Sequence, residues 1–189
     1  MVLSWARWMG DLPTSVALRE SLYMWPFLES AHVLTLMLFA GTAVMLDLRL
    51  LGVSFRSIPA TAFTGRLLPW TRAAFVVMVV TGALLLYANP VRYYFNLFFR
   101  VKLLLLAVAG LNIWWFHGRT HQTVGQWDVG VRPPRAARLA AVVSLAAWTG
   151  VIVTGRLVAY NWFDCDIQPQ SAIVNWAAGC RVPGAEAPQ

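Results

Sequence analysis

Charge is what this chain has least of. Only 12% of its 189 residues are Asp, Glu, Lys or Arg, about half the fraction of a soluble domain. That shortage excludes a water-soluble globular fold and leaves room for one bundle without a separate soluble domain. Lysine occurs once, as Lys102, and histidine three times. There are two cysteines, Cys165 and Cys180, and no C-x-x-C spacing. No glycine-rich phosphate loop and no nucleophile–histidine–acid arrangement is present. These absences remove the common nucleotide-binding, hydrolase and dithiol chemistries.

What the chain does have is apolar length. Hydrophobic residues make up 59% of it, and the mean hydropathy is +0.60. Four stretches are long enough to cross a bilayer, at about 22–46, 67–87, 93–116 and 139–160. The expected fold is all-α: a four-helix transmembrane bundle over 21–160, with an N-terminal interfacial segment over 1–20 and a short tail over 161–189. Trp5, Trp8, Met9 and Leu12 recur at helical spacing, which reads as a helix lying in the interface rather than a cleaved signal. Trp25, Trp70, Trp114, Trp115, Trp127 and Trp162 fall near span ends, where amphipathic rings gather.

The net charge of +7 is almost all Arg, placed at span ends and in loops. This pattern sets topology and does not describe a nucleic-acid surface. Eight Arg, counting Arg72, flank the loops after spans one and three, against six on the other side. The expectation is therefore a bacterial inner-membrane protein with both termini periplasmic. Cys165 and Cys180 then lie in an oxidising compartment and are expected to pair.

Spans two and four end alike. Val80-Thr81-Gly82 is followed by an apolar turn, then Tyr87 and Asn89. Val153-Thr154-Gly155 is followed by the same, then Tyr160 and Asn161. Ala40-Gly41 and Ala109-Gly110 match in spans one and three. Two pseudo-repeated hairpins follow, related by an axis along the membrane normal. Aligning Gly41 with Gly110 puts His32 opposite Val101, beside Lys102, so His32 and Lys102 are expected at nearly one depth. His32 would lie roughly 12–15 Å below the outer boundary. Thr81, Gly82, Gly110, Gly150 and Thr154 place small residues in or near that layer, for close helix packing or for a flat cofactor.

His32 and Glu29 stand one turn apart inside the first span, where an ionisable group is expensive and usually has a role. A neutral imidazole suits haem iron or another metal; a structural interhelical hydrogen bond is the alternative. Glu29 is expected to pair with Lys102 or Arg100, or to hydrogen-bond the imidazole. A di-iron site needs a second E-x-x-H and further carboxylates, which spans two to four lack. Lys102 either snorkels or faces His32, as ion-pair partner, propionate clamp or axial ligand. Met78 is a second possible axial ligand, with packing as the alternative. Arg100 and Arg156 are on the side suited to propionates, and Arg72 flanks span two. His117 and His121 have an i, i+4 metal spacing, but with no third ligand nearby they read as solvated loop histidines. His117 is about 22 Å along the helix from Lys102, too far to share the His32 site.

The run F-L-E-S-A-H-V-L on span one, D-L-R-L-L-G at its inner end, T-G-A-L-L-L on span two and R-V-K-L-L-L-L on span three resemble a known group. It contains the copper-resistance D membrane proteins and the J-type bacterial protoporphyrinogen oxidases. Within it the chain looks closest to a branch of small bacterial membrane proteins with no assigned activity. In the oxidases a His on span one and a Lys on span three accompany b-type haem. The resemblance therefore implies haem b near the periplasmic face, held by His32 and Lys102. The oxidase motif W-x-K-x-x-H is here F-L-E-S-A-H, with Glu29 in the Lys place, so the haem site is carried over more readily than the oxidation of porphyrinogen.

The leading expectation is a b-type haem protein passing electrons between the quinone pool, or a periplasmic donor, and a redox partner. Copper or other metal handling is the second. A cofactor-free accessory subunit of a larger membrane complex is the third; a homo-oligomer is compatible with each.

Overall fold

Proline and glycine set most of the helix boundaries. The computed structural model describes residues 1–119, 128 and 133–180, and eight helices are found among them. These are α1 (Val2–Gly10), α2 (Pro13–Glu20), α3 (Met24–Leu51), α4 (Ala60–Ala88), α5 (Pro90–Phe95), α6 (Leu97–Arg119), α7 (Arg135–Leu157) and α8 (Ala172–Ala178). Pro13 and Pro90 open α2 and α5 at the first helical position, where an N–H has no partner to lose. Pro59 and Pro134 precede α4 and α7. Gly52 ends α3 in the left-handed conformation at φ 70°, which a side chain would strain.

Four helices, α3, α4, α6 and α7, are long and apolar enough to cross a membrane. The protein is a multi-pass four-helix membrane bundle. The spans begin and end differently from the sequence expectation. α3 runs on to Leu51 and α4 begins at Ala60, so the first hairpin is longer than expected at its loop end. Residues 93–116 do not form one helix. Asn96, fully buried, breaks the chain between α5 and α6. Its Oδ1 accepts from Phe99 N at 3.0 Å, and its Nδ2 donates to Asn161 Oδ1 at 2.8 Å and to the Val158 carbonyl at 3.1 Å. The N-terminal segment is likewise two helices. Asp11 caps α1, and Trp5 and Trp8 stay exposed while Ala6 and Met9 are buried.

α3 pairs with α4 and α6 with α7; α3 and α7 join the two hairpins. At the junction Phe39 packs against Trp148 and Phe75, with ring centroids 4.5 and 5.5 Å away. Ala74, Met78, Ala109, Ala147 and Val151 complete this core. Outward faces are apolar as well, for example Leu34, Val76, Leu104 and Leu111, which is what lipid requires of a membrane helix.

The hairpins are built to one plan. A short helix precedes each, α2 before α3 and α5 before α6. Each segment supplies donors to the C-terminal end of its hairpin's last helix. Ser15 Oγ donates to the Tyr87 carbonyl at 2.9 Å and Arg19 to the Ala88 carbonyl at 3.3 Å. Arg92 and Asn96 do the same for the Ala159 and Val158 carbonyls. The last carbonyls of a helix have no intrahelical partner, so both pairs of helix ends are closed alike.

At the other end, Arg49 is buried. Its Nε and Nη2 donate to the Ile58 carbonyl, each at 3.1 Å, and Nη2 to the Asp128 carbonyl at 2.8 Å. The Asp128 carboxylate accepts from Thr61 N and Thr61 Oγ1, both at 2.8 Å. It thereby caps α4 from the opposite loop, and these bonds hold it below the usual carboxylate range. Asp47, two residues before Arg49 on α3, is also buried.

Candidate functional site

His32 sits on α3, half-buried, because a 3.6-residue turn puts it on the stripe with Leu28 and Phe39 that faces inward. Its Nδ1 lies 2.9 Å from Thr81 Oγ1 on α4. The next residue, Gly82, is where the ring rests: a Cβ there would stand 3.2 Å from His32 Cε1 and 3.7 Å from Nδ1. The Thr81 hydroxyl also reaches the Val77 carbonyl at 2.8 Å and the Met78 carbonyl at 3.1 Å.

The second hairpin repeats this seat with another occupant. Lys102 of α6 lies against Gly155 of α7, where a Cβ would stand 3.3 Å from Nζ. Thr154 Oγ1 turns back to the Gly150 carbonyl at 2.7 Å, as Thr81 does to Val77. His32 and Lys102 thus occupy matching Thr-Gly notches of the two hairpins. Among the described residues, Lys102 makes no hydrogen bond and no ion pair.

The other expected site residues are arranged differently. Glu29 is exposed and pairs with neither Lys102 nor Arg100. An i, i+3 step leaves it about 60° around the helix from His32, off the buried stripe. Its charge is felt instead by Tyr93 of α5, whose phenol is raised first by burial, with Glu29 adding and Arg92 opposing. Arg100 is turned to the tail. Its Nε and Nη2 donate to the Tyr94 carbonyl at 3.2 and 3.0 Å, its Nη1 to the Ala177 carbonyl, and it stacks over the Tyr94 ring. Met78 is buried in the core with Phe39 and Trp148. Arg72 and Arg156 are exposed, and Arg156 stays with Tyr160. Cys165 and Cys180 form a disulfide, with Cα atoms 5.2 Å apart. His121 and the side chain of His117 lie outside the described residues.

Two groups of functional-looking residues were not singled out from sequence. In the sequence Thr81 is one small residue of a layer, and its hydroxyl's contact with His32 comes only from the folded pairing of α3 with α4. Asp47 and Arg49 stand at a span end in the sequence, whereas both are buried and Arg49 is bonded to two carbonyls. An Asp and an Arg two residues apart inside an extended apolar run carried that signal.

A family model matches residues 20–161 of the chain. The chain belongs to DUF6644, a family of unknown function. The matched DUF6644 region holds α3, α4, α5, α6 and α7 entire, so both Thr-Gly notches and both of their occupants lie within it. No curated protein and no solved structure matches the chain.

Proposed function

We propose that this protein binds one b-type haem between its two hairpins and transfers electrons through it. One observation carries the reading. A half-buried imidazole and the chain's lone ammonium occupy matched notches at membrane depth, and the ammonium has no partner of its own among the described residues. Structural polar groups in a bundle normally satisfy one another. An unpaired Lys in apolar surroundings calls for an anionic or ligand-accepting guest.

The residues fit haem better than copper. A haem iron needs one or two protein ligands, and His32 supplies a nitrogen. A copper site gathers several soft or imidazole ligands, and among the described residues no three of His, Cys, Asp and Glu converge. His32 would hold the iron. Lys102 would serve as the opposite ligand or take a propionate. Met78 is the weaker candidate, because its side chain is in the aromatic core, and Arg100 would have to leave two carbonyls to meet a propionate. Haem supplies the one-electron redox chemistry; the chain orients the iron ligand, excludes water and sets the local charge. The resemblance to haem-binding oxidases favours the same assignment, and Glu29 in place of their Lys argues against porphyrinogen as substrate. The inner membrane, periplasmic termini, and a quinone or periplasmic donor complete the reading.

The test is an optical spectrum of purified protein made with ample haem, oxidised and dithionite-reduced, beside His32→Ala. A b-type spectrum lost in the variant supports the reading. Absence of a Soret band in the wild type overturns it and turns attention to metal analysis and co-purifying partners.

A further inference from the structure

The Thr81 hydroxyl has one hydrogen and three neighbours. Two are the carbonyls of Val77 and Met78, at 2.8 and 3.1 Å; the third is His32 Nδ1 at 2.9 Å. A carbonyl only accepts, so the hydroxyl hydrogen goes to the helix carbonyls, the usual arrangement for Thr within a helix. Oγ1 then presents its lone pairs to Nδ1, and Nδ1 must carry the proton. Neutral imidazole has one N–H. With Nδ1 protonated, Nε2 holds the free lone pair, and no described residue donates to it.

We infer that Thr81 is a positioning residue that fixes His32 as the Nδ1–H tautomer and so reserves Nε2 for a ligand bond. Gly82 works with it. The absent side chain lets the ring lie flat against α4, so that Nδ1 reaches Oγ1. Ligand histidines in metal sites are generally oriented through the other ring nitrogen in this way. The second hairpin gives the contrast. Thr154 makes the same back-bonds, but Lys102 rests on Gly155 and makes no hydrogen bond to Thr154, so only the His32 half is clamped. The inference rests on the haem reading for the identity of the guest, and on the hydrogen-bond pattern alone for the tautomer.

The experiment separates the two. The full chain is prepared in nanodiscs without haem, with ring-15N histidine, and the His32 signals are assigned by their loss in His32→Gln. The expected result is a protonated, pyrrole-type Nδ1 and an unprotonated, pyridine-type Nε2. Thr81→Val, which keeps the shape and removes the hydroxyl, should move His32 to the Nε2–H tautomer that an unconstrained histidine side chain prefers; Thr81→Ser should keep the wild-type pattern. In a haemin titration, Thr81→Val should bind about 10–100-fold more weakly, with Thr81→Ser near wild type. An Nε2–H tautomer in the wild-type protein overturns the inference whether or not haem binds. If Thr81→Val does not fold, the wild-type tautomer and Thr81→Ser still decide it. An Nδ1–H tautomer with no haemin binding leaves the clamp standing and removes the haem reading.

Discussion

At Gly82 a methyl group would stand 3.2 Å from His32 Cε1, while at Gly41 it would meet nothing within 4 Å. Both glycines lie in apolar helices, and only one of them touches the site. We predict that Gly82→Ala tilts the imidazole away from Thr81 at a cost of about 1–3 kcal/mol and lowers the haem-to-protein ratio at limiting haemin. Gly41→Ala should leave that ratio unchanged. An equal ratio in both variants would mean that the ring is not confined by α4. Asp128 gives a pH-dependent counterpart far from the site. Its carboxylate is held low by the Thr61 amide and hydroxyl. A depressed folded value means that the contact's contribution is complete above the ordinary carboxylate range. It is lost as pH falls through the depressed value. The protection of the Thr61 amide against hydrogen exchange, corrected for the intrinsic pH dependence, should therefore be flat from neutrality down to about pH 4 and fall below it. In Asp128→Ala the amide should be poorly protected throughout.

The helices as elements show which parts of the plan were legible in the chain. Apolar runs of bilayer length declared four spans, and Pro59, Pro90 and Pro134 declared where three helices could begin. The V-T-G recurrence declared two hairpins of one design, and the matching Gly41 and Gly110 set His32 and Lys102 at one depth. The breaks were harder. Asn96 interrupts what reads as a continuous amphipathic segment, because its side chain replaces backbone bonds that only the α7 end and Asn161 reveal. The Arg49 and Asp128 contacts join loops 79 residues apart, a separation that no local pattern encodes. Glu29 was misplaced for a plainer reason: i, i+3 spacing shares a side of the helix but not necessarily its buried stripe. Packing between elements makes its own prediction at Gly150, where a Cβ would stand 2.8 Å from Leu105 Cδ1. Gly150→Ala should force the Leu105 side chain from its place between α6 and α7 and destabilise the hairpin by about 1–3 kcal/mol. Leu105→Ala in the same protein should recover part of that loss, because it removes the opposing atoms. Detergent-resistant thermal unfolding of the two single variants and the double variant measures the coupling.

For the whole molecule, the two ends of the bundle are chemically unlike, and this bears on how it lies in the membrane. One end carries α1, α2, α5, α8 and the Cys165–Cys180 disulfide. The other carries the Arg49–Asp128 junction and the loops rich in Arg. Arg-rich loops are generally retained on the cytoplasmic side and a disulfide persists on the oxidising side, so we predict the orientation that puts the disulfide end in the periplasm. The tail is held by that bond and by Arg100, whose guanidinium donates to the Ala177 carbonyl of α8. Closing a loop with a sequence separation of 15 is worth about 3 kcal/mol in the chain-entropy account. Removal of Cys165 should loosen the tail and leave the four spans intact. In intact cells, Cys165 and Cys180 should resist a maleimide until a reductant is added, then react with a membrane-impermeant reagent applied from outside the inner membrane. In a strain unable to form periplasmic disulfides, both should be modified without reductant. Free thiols in normal cells that react only with a permeant reagent would place the tail in the cytoplasm. That result would invert the bundle and put the His32 layer nearer the cytoplasmic face, changing which donors could reach a haem bound there.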